Sequence, residues 1–160
     1  MSAAKVHRAY LSGGMEFAKG EGMDWRKDMD AWLRNNLHHD VYNPNVESDI
    51  LLARLLPEGG FRELKSANIG RYTEIVREFV KSDTHEIAER TDYIVCNWDE
   101  SAQRGAGTKG ELTMAHFTHK PVYMVTTMPL VEIPGWVLGC TTKIFGSFDD
   151  VKAFLRSMYP

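Results

Sequence analysis

Gly105-Ala106-Gly107-Thr108-Lys109-Gly110-Glu111 sets a carboxylate at the start of a helical stretch, just after a glycine-rich turn. Two readings compete for it. Thr108-x-x-Glu111 is a capping box, in which a hydroxyl and a carboxylate satisfy reciprocal backbone amides at a helix start. Alternatively, Glu111 stands at the mouth of a sheet and attacks an anomeric carbon. That task suits a carboxylate because the developing oxocarbenium ion is positive. The segment also fits GxGxxG. A dinucleotide fingerprint, however, puts its glycines in the first βα turn. Here Asp99 to Arg104 intervene after Trp98, and the strand is the third. No GK[ST] is present, so a Walker loop is excluded.

A second constellation is Tyr10-Leu11-Ser12-Gly13-Gly14-Met15-Glu16-Phe17. Two glycines after a strand either let a ligand approach the backbone or form a turn that needs positive φ. With Ser12, their amides can hold a phosphate or a ribose hydroxyl. Glu16 and Phe17 can line a pocket, and Phe17 or Trp98 can stack on a base. Three acids flank the central strand: Asp83, Asp92 and Asp99. Asp92 reads as a turn or helix-end residue. Asp83 reads as a helical carboxylate, and Asp99, at the carboxyl end of the strand, suits a ligand contact.

Other chemistries lack their residues. His85-Glu86 does not continue to HExxH, because position 89 is Glu89. No histidine–cysteine cluster has the spacing of a zinc deaminase, and no GxSxG elbow is present. His116, five residues after Glu111, falls about 140° around a helix from it. Cys96 and Cys140 have no metal-ligand spacing, and Cys96 reads as a buried structural thiol. No metal or redox cofactor is expected.

The elements that must position these groups alternate along the chain. Strand-like runs are Val6 to Leu11, Asp40 to Pro44, Tyr93 to Trp98, Pro121 to Val125 and Lys143 to Phe145. Helical spacing marks Met23 to Asn36, Val46 to Leu56, Arg71 to Arg90 with a break near Ser82-Asp83, Thr108 to His119, and Phe148 to Met158 capped by Ser147. Met128 to Cys140 reads as irregular. The alternation predicts one α/β domain over residues 1–160: a three-layer, five-stranded parallel sheet in the flavodoxin-like order 2-1-3-4-5. Ligands of such sheets bind at the carboxyl ends of the strands near the topological switch. Those ends are the Ser12 loop and the Trp98–Thr108 loop.

Bulk properties agree with a globular chain. Its 160 residues are 43% hydrophobic and 26% charged, with net charge −3. A polyanion-binding surface is not expected from that balance, so no nucleic-acid polymer is expected as a partner. Met1 to Arg8 lacks the apolar core of a signal peptide. No apolar run approaches the ~20 residues that span a bilayer. Cytoplasmic residence without membrane association is the expectation.

Three segments resemble the nucleoside 2-deoxyribosyltransferase superfamily, which includes the 2′-deoxynucleoside 5′-monophosphate N-glycosidases. They are Tyr10-Leu11-Ser12-Gly13-Gly14-Met15, Asp92-Tyr93-Ile94-Val95, and Gly107-Thr108-Lys109-Gly110-Glu111-Leu112-Thr113-Met114-Ala115 followed by Lys120-Pro121-Val122. The resemblance implies a catalytic Glu111, a sugar- or phosphate-binding loop from Ser12 to Met15, and an assisting aspartate, Asp83. It implies a small-molecule nucleoside or nucleotide as partner and a homodimer or higher homo-oligomer. Tyr10, Phe17, Trp98, Asp99, Gly107 and Thr108 complete the expected substrate contacts. Gly14 stands where proline is common, Thr113 where glycine is usual, and Gly105 where some transferases carry an aspartate. Asp83 lies nine residues before Asp92, one more than the family's spacing. A catalytically silent nucleotide-binding module is the alternative.

Overall fold

A computed structural model describes residues 5–160. The reading that Met1 to Arg8 lacks a signal peptide's apolar core therefore lies partly outside the described residues.

Five strands, β1 (Arg8–Gly13), β2 (Asp40–Tyr42), β3 (Tyr93–Asn97), β4 (Val122–Val125) and β5 (Lys143–Phe145), form one all-parallel sheet. Their order is β2-β1-β3-β4-β5, as the alternation of elements predicted. The helices are α1 (Met23–Leu37), α2 (Pro44–Leu55), α3 (Leu64–Ala67), α4 (Ile69–Glu89), α5 (Glu100–Arg104), α6 (Gly107–Phe117), α7 (Gly135–Gly139) and α8 (Phe148–Met158).

Side chains alternate across a strand, and the alternation sorts the core into two layers. Ala9, Leu11, Tyr93, Val95 and Val125 pack with Met29 and Leu33 of α1 and with Val151 and Leu155 of α8. Tyr10, Ile94, Cys96 and Met124 pack on the other face with Ile87 of α4 and with Leu112 and Ala115 of α6. The second layer matters for function. By the period of two, Ser12 shares the face of Tyr10, and both are fully buried on the side that α6 covers.

Local chemistry explains where the helices begin. Asn43 caps α2 by accepting from the Asn45 amide, with Pro44 at the first helical position. Asn68 caps α4 through the Arg71 amide, and Ser147 caps α8 through the Asp150 amide, as expected. Asp92 accepts from the Arg8 backbone amide at 2.9 Å and pairs with Lys5, which ties the starts of β1 and β3 together.

Four expectations are corrected. β1 runs from Arg8 to Gly13 rather than Val6 to Leu11, because Ser12 and Gly13 pair with Cys96 and Asn97 of β3. α4 is unbroken at Ser82-Asp83. The segment from Met128 to Cys140 is not wholly irregular, since it holds a 3-10 turn at Leu130–Glu132 and the short helix α7. The loop after Trp98 contains α5. No helix among the described residues is long and apolar enough to cross a membrane.

Candidate active site

Glu111 lies in the second turn of α6 and borders a cavity of about 460 Å³. The cavity opens at the carboxyl end of β1, between α2, α4 and the start of α6. The capping-box alternative is not what forms. α6 begins at Gly107, its N-cap is Ala106, and no side chain caps it. Thr108 is buried inside the first turn. The Glu111 carboxyl is therefore not used at the helix terminus. One of its oxygens, Oε2, is sealed from solvent without a hydrogen bond of ordinary geometry.

Beneath it stand two hydroxyls from β1. Tyr10 Oη and Ser12 Oγ are both buried and likewise close no hydrogen bond of ordinary geometry. Across the cavity α4 presents Asp83, whose Oδ1 accepts from Tyr42 Oη at 2.8 Å. Burial raises the Glu111 pKa above the ordinary glutamate value, and the Asp83 charge raises it further. Ser12, Arg26 and Tyr10 pull it back only in part. Burial also raises Asp83, against the Tyr42 hydrogen bond. Two carboxyls of this kind behave as a coupled pair that holds a proton at higher pH than either would alone. Carboxyls so paired are able to act as nucleophile and as acid–base group.

No protein-family model matches the chain, and no curated protein matches it.

Most of the predicted contacts are brought together. Gly13, Gly14, Met15, Phe17, Asp83, Gly107, Thr108 and Glu111 all border the cavity. Tyr10 and Ser12 lie behind Glu111 rather than on the cavity wall. Phe17 is at the rim, 39% exposed, with the Arg104 guanidinium 4.3 Å from its ring centre. Two residues are not part of the site. Trp98 is 1% exposed and packs in the core layer with Cys96, so it cannot stack on a ligand. Strand periodicity accounts for this: Trp98 continues the alternation of Ile94 and Cys96. Asp99 is the N-cap of α5, accepting from the Ala102 amide at 3.0 Å and from the Ser101 hydroxyl, and it does not border the cavity.

The glycines of the β1 loop also have a different cause from the one expected. Neither Gly13 nor Gly14 has positive φ. A Cβ on Gly13 would sit 2.8 Å from the Trp25 ring and 3.1 Å from the Asn97 carbonyl. One on Gly14 would sit 2.0 Å from Ser101 Oγ and 2.9 Å from the Ala102 nitrogen. Protein, not ligand, fills the direction a side chain would take. Gly14→Ala is expected to lose about 1–3 kcal/mol by overpacking. Adding Ser101→Gly should recover only part of that loss, since the Ala102 nitrogen stays. Urea unfolding of the single and double variants checks this, and a Gly14→Ala protein as stable as the parent would count against it.

Two parts of the site went unread in the sequence. Arg26 is fully buried and knits the β1 loop together. Its Nη2 donates to the Gly13 carbonyl at 2.7 Å and its Nε to Leu11 at 3.2 Å. Its Nη1 is shared among the Glu21, Gly22 and Gly14 carbonyls and Asn45 Oδ1 at 3.2–3.4 Å. Gly22 makes room for this arrangement. Its φ is +67°, and a Cβ there would meet the Gly14 carbonyl at 2.6 Å. The signal was present: Arg26, Met29 and Leu33 share one buried helical stripe. The other unread part is an aromatic wall of Phe61, Tyr72 and Phe79, with Phe61 stacked on Tyr72 at 5.0 Å and edge-on to Phe79 at 5.3 Å. Tyr72, Val76, Phe79 and Asp83 recur at helical spacing and line the cavity together.

Among the described residues no group of three or more histidine, cysteine, aspartate or glutamate side chains is gathered to hold a metal ion. Cys96 and Cys140 are both buried and unpaired.

Proposed function

We propose that this protein cleaves the N-glycosidic bond of a nucleoside or nucleoside 5′-monophosphate, with Glu111 as nucleophile. The observation that carries the proposal is that Glu111, free of any capping role, and Asp83 border one cavity with an aromatic wall. Its volume, about 460 Å³, lies in the range of small-molecule sites.

The Glu111 carboxylate attacks C1′ and the C1′–N bond breaks, its electron pair passing to the base. Protonation of a neutral base by the proton that the Glu111–Asp83 pair holds, passed through Asp83 as Glu111 ionises to attack, completes its departure. Water or a second base then attacks C1′ of the glycosyl ester, gives up its proton to Asp83, and frees the carboxylate, which restores the proton to the pair. The reaction balances without an electron acceptor. Tyr10 and Ser12 stand beneath the nucleophile and the Gly13–Met15 loop meets the sugar. This is retaining chemistry in two steps.

The test is incubation with ribonucleosides, deoxynucleosides and their 5′-monophosphates. Free base should appear, and rapid quenching should show protein heavier by one glycosyl unit. Intact substrates throughout, together with heat stabilisation by nucleotide, would instead support a silent binding module.

A further inference from the structure

We infer that the cavity selects a glycoside whose leaving group is a cationic aromatic base and whose sugar carries no phosphate. The inference rests on the N-glycosidase reading and narrows it.

Charge is the first observation. Six carboxylates border the cavity: Glu16, Glu21, Glu47, Asp49, Asp83 and Glu111. The only cation among the described lining residues is Arg62, and it is already held by both Glu21 oxygens at 2.8 and 3.1 Å. Glu16 pairs with Lys65 at the rim. Glu47, Asp49, Asp83 and Glu111 have no ion-pair partner among the described residues, although the proton held between Asp83 and Glu111 leaves that pair short of its full charge. Arg26 lies under the β1 loop and is turned to backbone carbonyls, away from any phosphate that might enter. A phosphate inside the cavity would meet like charges, since the unpaired Arg104 stands outside the lining, over the Phe17 ring at the rim, whereas a positive ligand would be drawn in.

The aromatic wall is the second, independent observation. Faces of phenylalanine and tyrosine attract a delocalised cation and stack on a heteroaromatic ring. The Arg62 guanidinium already lies 5.1 Å from the Phe61 ring centre. A flat cationic base satisfies the wall and the carboxylates together, which neither an aliphatic amine nor a neutral base does.

The chemistry follows. In a pyridinium-type riboside the base nitrogen is positive. Attack of the Glu111 carboxylate on C1′ forms a C–O bond, and the C1′–N pair goes to the base, which leaves neutral and needs no proton. Water then attacks C1′, the ester C–O pair returns to Glu111, and the proton of the water passes to the Asp83 carboxylate and on to solvent. The products are the neutral base and the free sugar.

A matched ligand pair tests selectivity without turnover. By calorimetry at low salt, 1-methylnicotinamide should bind the whole protein at least tenfold more tightly than nicotinamide, and salt should narrow the ratio. In Glu47→Gln the ratio should fall at least threefold. Equal binding of the pair, or a ratio unchanged by Glu47→Gln, overturns the inference. In turnover, nicotinamide riboside should exceed adenosine, and also its own 5′-monophosphate, by at least tenfold in kcat/KM. A preference for the monophosphate or for neutral nucleosides overturns it while leaving N-glycosidase activity intact. Tight cation binding with every glycoside unhydrolysed would instead remove the N-glycosidase reading and leave the charge selectivity standing.

Discussion

Glu111→Gln should leave the protein folded, lower N-glycosidic turnover by roughly 10³-fold or more, and raise heat stability at neutral and alkaline pH. The activity loss follows because glutamine is near-isosteric but cannot form a glycosyl ester. The stability gain follows from linkage. The folded-state pKa of Glu111 lies above its ordinary value, chiefly through burial. A carboxyl raised in the folded state contributes stability that is fully present below its unfolded pKa. That stability is lost as pH rises through the raised folded value. Glutamine does not ionise and so keeps it. The two proteins should therefore melt alike near pH 4–5. The gap should open through the neutral range to about 1–2 kcal/mol, roughly 2–8 °C in Tm at this chain length. Melting curves from pH 4.5 to 9 with parallel assays check both halves. A variant that retains turnover, or one that becomes less stable as pH rises, contradicts the burial of a working carboxylate.

Arg26→Met should be the most damaging single change to stability. Methionine matches much of the aliphatic stem but donates nothing. The Leu11 and Gly13 carbonyls, and those from the turn at Glu21 and Gly22, lose a donor that holds them at 2.7–3.2 Å. Removing one partner from a buried, charge-assisted network costs about 3–5 kcal/mol. That corresponds to roughly 6–20 °C in Tm. Arg26→Lys should fall between the two, because one ammonium cannot span acceptors on both sides of the loop. Chemical denaturation measures the series. A methionine variant within about 1 kcal/mol of the parent would mean that water replaces the guanidinium and that the loop does not depend on it.

Some of the site was legible because it follows local rules. The glycine-rich turn at the start of α6 and the two glycines at the end of β1 marked both loops that meet at the cavity. Asp83 came into consideration through the family resemblance and not through its local spacing, and polar Ser82-Asp83 looked like a break. It is not one, because the Asp83 side chain is occupied by Tyr42 and does not compete for the helix backbone. The aromatic wall was less legible, since Phe61 lies outside regular structure and meets Tyr72 only through the fold. Trp98 was misplaced because an aromatic at a strand end looks the same whether the alternation turns it to the core or to a ligand.

The order of hydrophobic and polar residues was enough to determine five parallel strands, the five longer helices and the 2-1-3-4-5 sheet, but not the short helices α3, α5 and α7. Periodicity is a local property, and right-handed crossovers leave few ways to assemble such elements. Which groups face one another was decided by tertiary structure alone. Capping box and nucleophile are the same letters at Thr108 and Glu111. The capping box does not form because α6 starts at Gly107, and only the fold brings Asp83, 28 residues earlier in the chain, to the cavity that the glutamate borders. Burial and charge at that meeting point are sums over distant residues, and no window of the sequence contains them.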